Sequence, residues 1–459
     1  MPGVAQLVKD GVRWEVDSPL APRLDDLLRS AGQIIKESPA KRVRRHELDG
    51  RTFFVKRYRH EAVGLRPWKF FFKPSQARQE WRLAQRLEAL GVPVVRHLAL
   101  GERWRWGLRE SLLITEGFDG QPLDEVARPD LAAVLDFVGR LHDRGVLQRD
   151  LHPGNILLNE RTGELRLVDL HGTRIQPVVT PPEREANLAF LRIFLPIPVP
   201  SAVVGLSERL RRDYRTHRAG RCLKHNREFE PRRLGGLRWH VRRPRLSVEA
   251  ERILADPDGF LAARAQLLKS GRSATLGRAH GLVLKRYNLR KWFNLLKDLF
   301  RPSKARRAFH QSYHLELVGI PTARPIATAD RRLLGLLLRS YLLMEEIPGA
   351  RHLGQWQGDS RRGARLLAEL LARLHNEGFS HRDLKETNLV FDAADRVFLI
   401  DMEGLNCLGT VPATRAALDL ARLARAAAQL PRCSPAERFL FLRVYCRLRR
   451  LRPRELRSR

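Results

Sequence analysis

Short runs of β-branched and aromatic residues alternate along the chain with longer stretches whose apolar side chains recur every three or four positions. The runs around 53–55 and 282–284 predict strands, and 75–90 and 303–318 predict helices, each opened by a serine that can cap free backbone N–H groups. Further along, 130–143 and 362–376 predict helices. Each leads into a loop carrying Arg-Asp-Leu and then a hairpin, NILLN with LRLVD in one case and NLVFD with VFLID in the other. Strands first and helices later predict an α+β plan with a small β-rich lobe ahead of a helical one. The most apolar stretch, 186–206, is broken by Arg192, Pro196, Pro198 and Pro200, so no membrane-spanning helix is expected there.

The pattern occurs twice. LHDRGVLQRDL at 141–151 aligns with LHNEGFSHRDL at 374–384, and each is followed by an asparagine at the same spacing. Four further landmarks keep the same order: FFVKRY with LVLKRY, KPSQARQEW with RPSKARRAF, LLITEGFDG with YLLMEEIPG, and LRLVDLHG with VFLIDMEG. Ordered landmarks at a nearly constant offset mean one duplicated domain of about 200 residues. The Arg-, Pro- and Gly-rich stretch 230–247 is the expected junction, giving a first domain over 1–240 and a second over 241–459.

Phosphoryl transfer from ATP requires a cation on the phosphates, a carboxylate beside the attacking hydroxyl, and carboxylate or amide oxygens on Mg²⁺. Each copy supplies these residue types in order. The first offers Lys56 on a strand, Glu80 on the next helix, Asp150 and Asn155 in a DxxxxN loop, and Asp169 at a strand end. The second offers Lys285, Asp383, Asn388 and Asp401. A five-residue separation brings Asp150 and Asn155 onto one face of a loop, and the hairpin returns Asp169 to the same cleft. Asp150 and Asp383 are thus the expected catalytic carboxylates. Asn155, Asp169, Asn388 and Asp401 are the expected metal ligands, and Lys56, Glu80 and Lys285 the nucleotide-binding residues.

HRDLKETN with a downstream IDMEG resembles the protein-kinase-like fold, and QRDLHPGN with VDLHG does so with Gln148 where that family usually has His. The short segments after Asp169 and Asp401, without an APE motif, point to small-molecule acceptors rather than peptides. No GxGxxG is present, so phosphate cradling falls to backbone amides, Ser and Arg. LHPGN, PSxAR and the short post-aspartate segment look like the lipopolysaccharide core kinases, the heptose and Kdo kinases. That resemblance implies two consecutive kinase-like domains and ATP-dependent phosphorylation of a lipopolysaccharide inner-core sugar, with Mg²⁺, at the cytoplasmic membrane face. The alternative is a partly or wholly inactive kinase-fold protein serving as a regulatory or scaffold module. Aligning the PSxAR motifs places Ala308 opposite Glu80, so the second copy lacks the helix carboxylate, while the first has Gln148 for His381. The first copy is therefore expected to do most of the chemistry.

Composition adds the partner class. Lys and Arg number 85 against 51 Asp and Glu, a net charge of +34, while 43% of residues are hydrophobic. The chain can build cores, and its charge suits a polyanion: lipopolysaccharide core or a related anionic glycolipid, with peripheral contact to an anionic membrane surface. No nucleic-acid-binding module accompanies the charge, so nucleic acid is not the expected partner. Trp and Phe mixed with cations at 67–73 and 291–301 suit a headgroup interface, although aromatics at helical spacing also plug lobe cores. The four cysteines form no CxxC pair, and the N-terminal residues lack a secretory apolar run, so a cytoplasmic protein is expected.

Overall fold

The computed structural model describes residues 3–38, 40–60, 70, 73–288, 301–333, 336–430 and 433–456. The chain divides into two compact units, Met1–Arg211 and Arg212–Arg459. Each opens on a seven-stranded antiparallel sheet. In the first, the strand order across the sheet is Val4–Lys9, Val12–Asp17, His97–Trp104, Leu108–Glu116, Arg51–Arg59, Lys41–Leu48 and Gln33–Glu37. In the second it is Phe229–Leu234, Leu237–Arg242, Pro325–Leu333, Leu336–Glu345, Leu282–Asn288, Ala274–Ala279 and Gln266–Ser270. The duplication therefore extends to sheet order.

The sheets also correct the junction. The hairpin Phe229–Arg242 pairs with Thr328 and its neighbours in the second sheet, so residues 212–240 pack with the second unit rather than the first. The polar composition of 230–247 concealed a strand whose alternate residues Leu237, Trp239 and Val241 are buried. Val12, Trp14 and Val16 do the same in the first sheet, a sixth repeated landmark (VRWEV with LRWHV) carried by a two-residue period.

Across the lysine strands the register is equivalent. Lys56 lies opposite Val43 and Leu113, and Lys285 opposite Leu276 and Leu342. After each sheet come the helices Leu131–Asp143 and Ser360–Asn376, capped by Asp130 and Asp359, and then the Arg-Asp-Leu loop and the predicted hairpin. Each unit has an apolar core on its sheet, around Trp14 and Leu24 or Trp239 and Phe260, and another among the helices, around Phe137 and Leu141 or Leu371 and Phe379, and in the first unit a further cluster packs Trp81 against Tyr58 and Leu113.

The shared LHxxG glycines have a steric reason. Gly145 and Gly378 adopt φ of +73° and +86°, and a Cβ there would stand 2.0 Å from the Gln176 carbonyl and 2.4 Å from that of Gly409. Both carbonyls lie just past the strand that follows Asp169 or Asp401: Thr173–Ile175 pairs with Val146–Gln148, and Leu405–Cys407 with Phe379–His381. The chain then enters the helices Pro181–Leu191 and Ala413–Ala427, so the post-aspartate segment is a short strand and a turn.

Among the described residues no helix is long and apolar enough to cross a membrane. The basic–aromatic segments at 67–73 and 291–301 lie outside the described residues, apart from Phe70, Lys73 and Arg301.

Candidate active site

In the first unit, Lys56 donates to Glu80 Oε1 at 2.6 Å, with the two side chains 16% and 5% exposed. The helix Gln76–Ala89 delivers Glu80 because its start is fixed twice. Ser75 accepts from the Arg78 N–H (3.0 Å) and donates to Glu102 on the sheet (2.7 Å), while Arg78 adds an ion pair to Glu102 at 2.9 Å. In the second unit Ser303 accepts from the Arg306 N–H (3.1 Å), and Arg306 lies 3.1 Å from Asp330. The PSxAR motif is thus a clamp holding a helix against a strand.

Glu80 has further partners that sequence reasoning missed. His97 Nε2 lies 3.5 Å from Oε1, and the Tyr58 hydroxyl donates to Oε2 at 3.3 Å. Burial alone would push the Glu80 carboxyl up. The neighbouring His97 ring and the charge of Lys56 outweigh it and hold the pKa well below the usual carboxylate range. A second cation, Lys41, sits over the Tyr58 ring at 5.0 Å, and burial followed by the charge of Lys56 lowers its pKa. Its counterpart in the second sheet is Ala274, since both face the tyrosine two residues after the lysine. A cavity of about 190 Å³ opens among Val43, Phe54, Lys56, Glu80, His97 and Asp169.

Asp150, Asn155 and Asp169 lie near one another. Asn155 Nδ2 donates to the Asp150 carbonyl at 3.0 Å, and Asp169 takes the left-handed conformation at φ +51°. The second unit repeats this, with Asn388 donating to the Asp383 carbonyl at 2.8 Å and Asp401 at φ +62°. Asp150 and Asp383 are exposed at the loop face, and Lys385 lies 3.1 Å from Asp383.

Gln148 proves to be an equivalent of His381. His381 Nε2 donates to the Asp401 carbonyl (2.9 Å), and its Nδ1 accepts from the Asp383 N–H (3.3 Å). Burial pushes the His381 pKa down, which keeps the ring in the neutral form that this donor–acceptor pair requires. Gln148 Nε2 donates to the Asp169 carbonyl (3.2 Å), and its Oε1 accepts from the Asp150 N–H (3.2 Å). An amide offers the same one donor and one acceptor as a neutral imidazole. The loops are braced below by Asn187, which donates to the Gln148 carbonyl at 2.7 Å, and by buried Asp419, which accepts from the His381 N–H at 2.9 Å.

The lysine pairs do differ. Ala308 occupies the helix position five residues after the capping serine, as Glu80 does, and is buried. Lys285 instead donates to Asp401 at 3.0 Å and lies 3.6 Å from Glu403. Burial opposes its charge, but Tyr287, Asp401 and Glu403 outweigh it and raise its pKa. Glu316 is committed to Arg242 at 2.7 Å, and the His310 ring faces His314, so neither replaces the missing carboxylate.

A larger apolar cavity of about 360 Å³ lies among the helices of the second unit, bordered by Trp356, Leu420 and Phe441, and no site residue lines it.

The 3-deoxy-D-manno-octulosonic acid kinase of Xanthomonas axonopodis pv. citri is 37% identical over 98 residues, 21% of this chain and 38% of that protein. The lipopolysaccharide core heptose(I) kinase WaaP of Pseudomonas aeruginosa is 28% identical over 189 residues, 35% of this chain and 69% of that protein. Among solved structures, WaaP in complex with acyl carrier protein is similar at 24% identity and a TM-score of 0.32, over 43% of this chain and 88% of that one. The family model described as Lipopolysaccharide kinase (Kdo/WaaP) family matches residues 25–204 and 265–445, well over half the chain and one complete lysine, Asp–Asn loop and terminal aspartate in each stretch. The chain belongs to the lipopolysaccharide kinase (Kdo/WaaP) family, twice over.

Proposed function

We propose that this protein transfers the γ-phosphoryl group of ATP to a sugar hydroxyl of the lipopolysaccharide inner core, working at the cytoplasmic face of an anionic membrane. The observation that carries the reading is the shared placement, in both units, of an Asp–Asn loop beside a left-handed aspartate that the strand lysine also reaches, Lys56 bordering one cavity with Asp169 and Lys285 bonding Asp401. Asp169 with Asn155, and Asp401 with Asn388, offer the hard carboxylate and amide oxygens that suit Mg²⁺, which would neutralise charge on the phosphates.

Within the first cleft, Lys56 neutralises phosphate oxygens while Glu80 and His97 hold its position, and Lys41 adds a second cation where a glycine-rich loop is lacking. Asp150, exposed at the loop face, accepts the proton of the attacking hydroxyl. Gln148 ties the Asp150 backbone to that of Asp169, so the acceptor carboxylate and the metal carboxylate keep one geometry. A net charge of +34 supports an acceptor rich in phosphate and acidic sugars at a membrane surface.

The test is transfer of labelled phosphate from MgATP to purified lipopolysaccharide core. The wild-type chain should phosphorylate it, and Asp150→Asn/Asp383→Asn should lose about a hundredfold or more in turnover. Undiminished transfer by the double variant would remove the assignment.

A further inference from the structure

Three aligned positions change together between the two clefts. Glu80 becomes Ala308 on the clamped helix, His171 becomes Glu403 behind the metal aspartate, and Gln76 becomes Lys304 in the first turn of that helix. In the second unit the new residues meet. Glu403 Oε1 lies 3.6 Å from Lys285 and Oε2 lies 2.7 Å from Lys304, so the carboxylate bridges the two lysines.

The turn carrying it is held firmly. Met402–Gly404 forms a single 3₁₀ turn whose start is capped by the Asp401 side chain. A Cβ on Gly404 would stand 2.9 Å from the Asp383 backbone nitrogen and 2.9 Å from the His381 ring, so the turn packs directly against the catalytic loop. Glu403 is therefore placed by the loop that carries the chemistry, whereas Glu80 is placed by a helix.

We infer that Glu403 is the positioning residue for Lys285 in the second domain, taking over from the metal-binding loop the role that Glu80 performs from the helix in the first. The 3.0 Å contact between Lys285 and Asp401 cannot serve once the Asp401 carboxylate is directed to a metal ion. Among the described residues Glu403 is then the carboxylate left within reach, anchored from its other side by Lys304. The second cleft is on this account a working nucleotide site with a relocated ion pair. On this account Lys285 has an orienting partner although Ala308 stands where the first domain has Glu80.

The inference rests on reading the second cleft as a nucleotide site, so its test measures binding and leaves sugar phosphorylation to a separate assay. In the full chain carrying Lys56→Met to disable the first cleft, titration with Mg²⁺ and a non-hydrolysable ATP analogue should show one remaining site. Glu403→Gln should weaken that site about tenfold or more, since a charge-assisted bond is lost, without lowering Tm. Adding Ala308→Glu should recover most of the affinity. Unchanged affinity in Glu403→Gln overturns the inference, as does a folded Glu403→Gln/Ala308→Glu protein that shows no recovery. Absence of nucleotide binding in the Lys56→Met parent also overturns it, while phosphate transfer by the wild-type chain still decides the proposed function.

Discussion

A glutamine and a histidine hold the two Asp–Asn loops by the same pair of bonds, and this sets the expectations at the scale of single residues. Gln148→His should leave turnover by the first domain nearly unchanged, because a neutral imidazole reproduces the amide's donor and acceptor. Gln148→Leu should lower it about tenfold or more by freeing the Asp150 loop. Measuring kcat in an Asp383→Asn background isolates the first domain, and equal activity of the Leu and wild-type enzymes would exclude the bracing role. Lys41→Ala should raise the KM for ATP of that same domain several-fold with a smaller change in kcat, as expected for a cation that binds phosphates in ground and transition states alike. Asp150→Asn and Asp383→Asn, made separately, report how turnover divides between the domains. With Gln148 equivalent to His381 and Glu403 near Lys285, both are expected to lower product.

At the scale of elements, the PSxAR clamp and the buried ion pair carry testable stability. Ser75→Ala removes a helix N-cap and a bond to Glu102, so it should cost about 1 kcal/mol or somewhat more and lower Tm by about 2–4 °C. The Glu80 carboxyl has a folded-state pKa below its unfolded value. Its contribution is therefore fully present above the unfolded pKa of about 4.3 and is lost as pH falls further, because the unfolded chain takes up the proton first. Asp401 and Asp419 are shifted in the same direction. Tm of the wild type should fall between about pH 5 and pH 3, and Glu80→Gln should be less stable at neutral pH but lose less on acidification. A parallel fall in both proteins would show that the Lys56–Glu80 pair does not drive it.

At the scale of the whole molecule the argument turns on charge and duplication. If the +34 excess works on phosphates at a membrane, binding to anionic vesicles should weaken steeply from low to physiological salt, by roughly 1 kcal/mol for each engaged cation. Vesicle sedimentation at matched lipid concentrations measures this, and salt-independent binding would leave the charge without that role. Duplication supplies an internal control where the residues match, as Ser75 does Ser303, Gln148 does His381 and Asp150 does Asp383, whereas Glu80 and Lys41 have Ala308 and Ala274 as counterparts.

What the sequence determined by itself was everything encoded in short-range pattern. The capped helices, the lysine strands, the DxxxxN loops, the hairpins returning Asp169 and Asp401, and the twofold repeat all follow from local periodicity and spacing. The hairpin Phe229–Arg242 was encoded in the same way, in alternating Leu237, Trp239 and Val241, but its polar residues and turn glycines resemble a linker until the sheet pairs it. Partnerships across long sequence separation were decided only by the tertiary structure. His97 reaches Glu80 from another strand, Lys41 comes over the Tyr58 ring through the sheet register, Glu403 meets Lys304 across ninety-nine positions, and Asp419 braces a loop from a later helix. Their residue types are common on any basic surface, and no spacing rule separates them from solvated charges. They acquire a role only when folding brings them within reach of one another and, for Glu80, His97 and Asp419, also removes the water around them.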